Sequence, residues 1–168
     1  ARPPHGVLQE GRVMGARPLS TAWAELIGRQ KWDVFLTLTF NRRYSSPSHS
    51  IIPEKPDKDF RRLIQFFNEQ LYGVRWMRRT PHKGVVWVRS QEAHGDGVLH
   101  YHACLRSPST PIPDSLIRAA REWWKCRFGS ARSEAPRSQI DVIAYLIKGV
   151  GRWGNTEMEL SNNFPKIE

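Results

Sequence analysis

Two histidines flanking one tyrosine, His100 and His102, and a glutamate upstream of them, Glu92, are the residues best suited to chemistry, in the segment SQEAHGDGVLHYHACLRS. A hairpin with its turn centred on Asp96 sets Glu92 opposite His100 and Ser90 opposite His102. Side chains alternate along a strand, so both imidazoles point to one side with Tyr101 on the other, and Glu92 joins them across the ribbon. Two imidazoles and a carboxylate leave open positions on a divalent cation, which a phosphate oxygen and water can fill. A His-x-His pair alone suits a solvated strand face equally well; the opposed carboxylate is what favours the metal. Zinc held by cysteines is excluded, because Cys104 shares the histidine face but Cys126 falls on a helix, without paired spacing. Cys104 reads as a small buried hydrophobe, His94 as a turn residue, and His5, His49 and His82 carry no assigned role.

A second group lies in VIAYLIKGV, where Tyr145 and Lys148 are three apart and share one face of a helix. A phenol acting as nucleophile needs a cation near the group it attacks, because negative charge gathers on the phosphoryl oxygens and the departing alkoxide. The same pair also fits the edge of a core and a solvated tip, so its meaning depends on the hairpin.

The elements that must position these groups follow from periodicity. Ser20 or Thr21 caps a helix over Ala22 to Gln30, and WDVFLTLTF forms a strand with Phe35, Thr37 and Thr39 on one face and Val34, Leu36 and Leu38 on the other. Phe60, Leu63, Ile64, Phe67 and Leu71 recur at helical spacing from Asp57 to Tyr72, where Gly73 ends the pattern. After the hairpin, Pro113 or Asp114 opens a helix closed by Gly129, and SQIDV reads as a short last strand before the helix-like VIAYLIKGV. Helices against a mostly antiparallel sheet make the class α+β.

Composition bounds the partners. The 168 residues suit one domain, expected over residues 20–168, after a flexible basic arm over residues 1–19 whose Arg, Pro and Gly cannot bury enough surface to order it. A net charge of +10 makes nucleic acid the leading partner class. Only two cysteines suit a reducing, cytoplasmic setting, and no apolar run approaches the roughly 18 residues of a membrane helix. There is no Gly-rich phosphate loop, so nucleotide hydrolysis is unsupported.

Taken in order, FLTLTF, QEAHGDGVLHYHACL and AYLIKGV resemble the three motifs of the HUH endonuclease superfamily, and within it the single-tyrosine rolling-circle replication initiators, or Rep proteins, of plasmids and phages. The resemblance spans Trp32 to Val150. It implies a five-stranded antiparallel sheet, ferredoxin-like or RRM-like, with the histidines on a central strand and the tyrosine helix across the metal. It also implies that Glu92, His100 and His102 hold Mg²⁺ or Mn²⁺, and that Tyr145 attacks a phosphodiester of single-stranded DNA or an origin hairpin. A 5′-phosphotyrosine and a free 3′-hydroxyl for a polymerase would result, with Lys148 orienting the phosphate. The position one turn after Tyr145 is Gly149, so one covalent bond forms at a time, and strand separation falls to a host helicase. A monomer or weak oligomer is expected.

Single strands bind to basic grooves with aromatic faces. Three clusters qualify: Arg42, Arg43 and Tyr44; Arg75, Trp76, Arg78, Arg79 and Lys83; and Arg152 with Trp153. Most tryptophans, including Trp87 and one of Trp123 and Trp124, are expected in the core instead. Two other readings stay open: a single-tyrosine transposase or relaxase with the same chemistry, and a non-enzymatic RRM-like module whose histidines merely touch nucleic acid.

Overall fold

Alternation in VFLTLTF builds strand β1 (Val34–Phe40), and the helical apolar stripe that follows builds α2 (Glu54–Tyr72), after α1 (Leu19–Gly28). The computed structural model describes residues 19–41, 54–93, 98–136, 139–147 and 158–166. The expected N-terminal arm, apart from Leu19, lies outside the described residues. A short helix α3 (Trp76–Arg79) leads to the hairpin of β2 (Val86–Ala93) and β3 (Leu99–Arg106). Then come α4 (Asp114–Lys125), β4 (Gly129–Glu134), α5 (Gln139–Ile147) and β5 (Met158–Leu160).

The five strands form one sheet in the order β4-β1-β3-β2-β5, and every neighbouring pair is antiparallel. β1 and β2 therefore run parallel on either side of β3, joined through α2, while β3 and β4 flank β1, joined through α4. Two interleaved split βαβ units of this kind make the ferredoxin-like arrangement, with β5 added at one edge. The fold is the expected α+β sheet with flanking helices, and β3, which carries the histidines, is its central strand.

The two faces of the sheet divide the labour. On one, Leu36, Leu38, Phe40, Tyr101 and Leu105 pack against Phe60, Leu63 and Phe67 of α2 and Leu116, Ala120 and Trp124 of α4. Trp87 and Trp124 are both core, as expected of them, and Trp123 only packs against that core. On the other face, Phe35, Val86, Val88 and Cys104 are covered by Ile27 of α1 and Val142, Ile143 and Leu146 of α5. That cover reaches only the half of the face remote from the hairpin turn. Among the described residues, no helix is long and apolar enough to cross a membrane.

One charged side chain is built into the first face. Arg89 of β2 is 8% exposed, lies over the rings of Tyr101 (4.4 Å) and Phe60 (4.9 Å), and pairs with Asp57 of α2 and Glu159 of β5. Because β5 contributes three residue pairs to the sheet, this ion pair is a large part of what fastens the edge strand. Arg89→Met keeps the packing volume but strands two carboxylates. Since both are about one-third exposed, the expected loss in urea unfolding is about 2–3 kcal/mol, at or below the low end for broken buried pairs. Glu159→Gln in the same chain should recover part of it.

Three local expectations are corrected. SQIDV is no strand: α5 starts at Gln139, and its β-branched residues follow helical spacing, with Val142, Ile143 and Leu146 buried together. Gly129 does follow the helix, but as the first residue of β4, a polar edge strand whose burial alternates. Helix α2 begins at Glu54, before the expected Asp57, because Pro56 sits in its first turn, where the missing N–H costs nothing. Neither α3 nor β5 is announced by a pattern in the sequence.

Candidate catalytic site on the open sheet face

The hairpin pairs in the expected register, with Glu92 opposite His100 and Ser90 opposite His102. The same alternation that buries Phe35, Val88 and Cys104 continues along the strands and brings Thr37, Thr39, Glu92, His100 and His102 onto the half-face near the turn. Residues 94–97 of the turn, including His94, lie outside the described residues. Burial raises the thiol pKa of Cys104 well above its usual value, in keeping with its place as a small core residue.

The Glu92 carboxylate leans diagonally across the ribbon, and its Oε2 lies 3.1 Å from Nε2 of His102. On the other side of β3, strand β1 sets a threonine opposite each histidine: Thr39 Oγ1 is 3.0 Å from His100 Nδ1 and Thr37 Oγ1 is 3.2 Å from His102 Nδ1. His102 is 3% exposed, while the side chain of Glu92 keeps 38% of its exposure. The donor types and the register suit a divalent cation. Among the described residues, however, no three His, Cys, Asp or Glu groups are already gathered closely enough to hold one. A cation bound here would take the place of the Glu92–His102 hydrogen bond.

Helix α5 supplies the phenol. Its buried side, Val142, Ile143 and Leu146, docks on the sheet beside α1, which leaves Tyr145 on the flank toward the histidines, 49% exposed. The Tyr145 ring stands edge-on to His102, with centroids 4.8 Å apart at 84°, and edge-on to Phe35 at 5.8 Å. Phe35 in turn lies parallel to the His102 ring, 6.0 Å away. Lys148, the expected partner of Tyr145, lies outside the described residues.

Four tyrosines occur in the chain, and the structure sorts three of them. Tyr101, between the two histidines, is 1% exposed on the opposite face, and burial pushes its phenol up to about 12. Tyr72 bonds through its hydroxyl to Ser107, just past the far end of β3. Tyr145 alone of these three stands beside the histidines; Tyr44 is outside the described residues.

The expected DNA contacts fall in two groups. Arg42, Arg43, Tyr44, Arg152 and Trp153 lie outside the described residues. Arg75, Arg78, Arg79 and Lys83 are exposed, but they precede the start of β2, whereas Glu92 is near its end. At about 3.3 Å per residue, that separates them from the histidines by roughly 20 Å. They border a groove of about 890 Å³ between α2, α3 and β2, lined in part by Ile64, Trp76, Met77 and Trp87, which contains none of the site residues.

The sequence reading sets Phe35, Thr37 and Thr39 on one strand face but gives them no part in the site. The signal is nonetheless there: a Thr-x-Thr strand that pairs with a His-x-His strand must set hydroxyls against imidazoles.

A family model for replication-associated proteins of the ORF2 type matches residues 33–151. No curated protein and no solved structure matches the chain. The matched span is more than two-thirds of the sequence, from the residue before β1 to beyond α5, and includes Glu92, His100, His102, Tyr145 and Lys148. The chain therefore belongs to the replication-associated protein ORF2 family.

Proposed function

We propose that this protein is an HUH-type endonuclease that nicks single-stranded DNA at a replication origin and rejoins it, starting rolling-circle replication of a plasmid or phage. The observation that carries the reading is the meeting of Tyr145, from α5, with His102 of the central strand, at 4.8 Å between rings. A nucleophile and a phosphate-activating centre have to converge within a few ångströms of one phosphodiester, and family membership puts both on a replication-associated chain. The net charge of +10 is what a polyanionic substrate requires.

Tyr145 Oη attacks the scissile phosphorus; the P–O bond to the 3′ oxygen breaks, and the protein keeps the 5′-phosphate as a phosphotyrosine ester while the 3′-hydroxyl departs. The phenolic proton is lost to water or base, and the leaving alkoxide gains one. Glu92, His100 and His102 would hold Mg²⁺ or Mn²⁺, which when bound supplies Lewis-acid polarisation of the phosphate. Lys148, one turn beyond Tyr145, orients the phosphate and offsets its charge. Phe35 backs the His102 ring and limits water on its inner side. The exposed Arg75, Arg78, Arg79 and Lys83 hold flanking DNA away from the scissile bond.

The test is a single-stranded oligonucleotide carrying the origin sequence, incubated with the protein and Mn²⁺. A protein–DNA band that survives SDS should form, and EDTA should abolish it. DNA retention without such a band, with or without metal, would mark a binding module instead. Preference for transposon ends or transfer origins over replication origins would reassign the same chemistry to a transposase or relaxase.

A further inference from the structure

We infer that Thr37 and Thr39 are positioning residues: their hydroxyls hold the two imidazoles by Nδ1 and so direct Nε2 of His100 and His102 toward one shared cation. This inference rests on the reading of the histidines as metal ligands and adds the device that sets their orientation.

Four observations carry it. Each threonine is the direct cross-strand partner of one histidine, Thr37 with His102 and Thr39 with His100. Each makes the same contact, Oγ1 to Nδ1, at 3.2 and 3.0 Å. In each ring, therefore, the nitrogen bound to threonine is Nδ1, and on His102 the remaining nitrogen, Nε2, already faces an anionic oxygen of Glu92. Finally, the site lies on a strand interior, where a β-branched side chain has few χ1 choices, so each hydroxyl is held in place before the imidazole arrives.

The choice of a hydroxyl has its own logic. An ionised carboxylate only accepts hydrogen bonds, so when Glu92 bonds Nε2 of a neutral His102 the proton is on Nε2 and Thr37 donates to Nδ1. When Nε2 is instead turned to a cation, the ring proton is on Nδ1 and Thr37 must accept. A hydroxyl serves both arrangements without moving; a carboxylate or an N–H group serves one of them. Partners of this kind on metal-bound histidines fix ring orientation, and their loss typically weakens metal affinity about 10–100-fold.

The experiment uses the full chain and Mn²⁺ alone as probe. Thr37→Val, Thr39→Val and the double variant keep the branched shape without the hydroxyl, and Thr37→Ser and Thr39→Ser keep the hydroxyl. Two quantities are read: Mn²⁺ affinity by calorimetry, and the imidazole ¹⁵N shifts in the metal-free protein. Each valine variant should bind Mn²⁺ roughly 10–100-fold more weakly and should move the Nδ1 resonance of its own partner histidine; the serine variants should stay close to the parent on both. Far-ultraviolet circular dichroism checks that the valine variants fold; if one does not, its serine counterpart decides, since serine restores the hydrogen bond and not the γ-methyl. Valine variants with parental affinity and unchanged Nδ1 shifts overturn the inference. Failure of the parent itself to bind Mn²⁺ overturns the metal reading, and the Nδ1 shifts then decide separately whether the threonines hold the rings.

Discussion

Tyr145→Phe should eliminate the SDS-resistant DNA adduct and reduce nicking by roughly 10³-fold or more, the scale on which loss of a covalent nucleophile is felt. Phenylalanine keeps the edge-on contacts with His102 and Phe35, so the melting temperature and the affinity for single-stranded DNA should barely change. The half-exposed ring makes this a clean substitution, because only an oxygen at the solvent boundary is lost. The result is measured by gel after denaturation, with filter binding on the same samples. An adduct that persists at parental yield would transfer the nucleophile elsewhere. Tyr101 and Tyr72 are placed away from the histidines, so Tyr44 would be the residue to replace next.

The second large effect is structural and lies under the site. Gly129→Ala should destabilise the protein by about 3 kcal/mol, at the upper end of the usual overpacking range, and lower the melting temperature by roughly 6–12 °C for a chain of this size. A Cβ at this position would sit 1.9 Å from the carbonyl oxygen of Thr39 and 3.0 Å from the amide nitrogen of Asn41. All of these are backbone atoms, so no side chain can swing aside. Either β4 moves off β1 or Thr39 shifts, and Thr39 is the partner of His100. The variant should therefore also lose Mn²⁺ affinity beyond what unfolding explains, measured by calorimetry below its transition. Ser130→Ala, at the exposed next position, should stay within about 0.5 kcal/mol of the parent in the same melts.

Gly129 also illustrates what the sequence could convey. As a letter after an amphipathic helix it signals a stop, and α4 does end just before it. That it also opens a strand is hidden, because GSARSE has neither the apolar alternation nor the β-branched residues of an inner strand; an edge strand is specified by its neighbour's free hydrogen-bonding groups. The hairpin is legible for the opposite reason. Its turn residues and its alternation fix the register independently, so Glu92 can be placed against His100 from the sequence. The diagonal reach of Glu92 to His102, and the approach of Tyr145 to the same ring, depend on how α5 docks, which no local pattern encodes. SQIDV shows the same limit from the other side: propensity favours β there, and burial of Val142, Ile143 and Leu146 against the sheet overrides it.

The packing of α5 has a further consequence. Its apolar side is shared with Ile27, and Ile143 Cδ1 comes within 3.1 Å of the position a Cβ would take on Gly28, at the end of α1. Met158, Leu160 and Phe164 complete the same cluster. Ile27, Gly28, Met158, Leu160 and Phe164 all fall outside the span that carries the family likeness. Inherited similarity and mechanical support thus have different borders in this molecule: the nucleophile travels with the recognised stretch, whereas the clamp on its helix is recruited from both flanks. Trimming the chain to the recognised stretch would keep every reactive group and loosen the aim of the one that attacks.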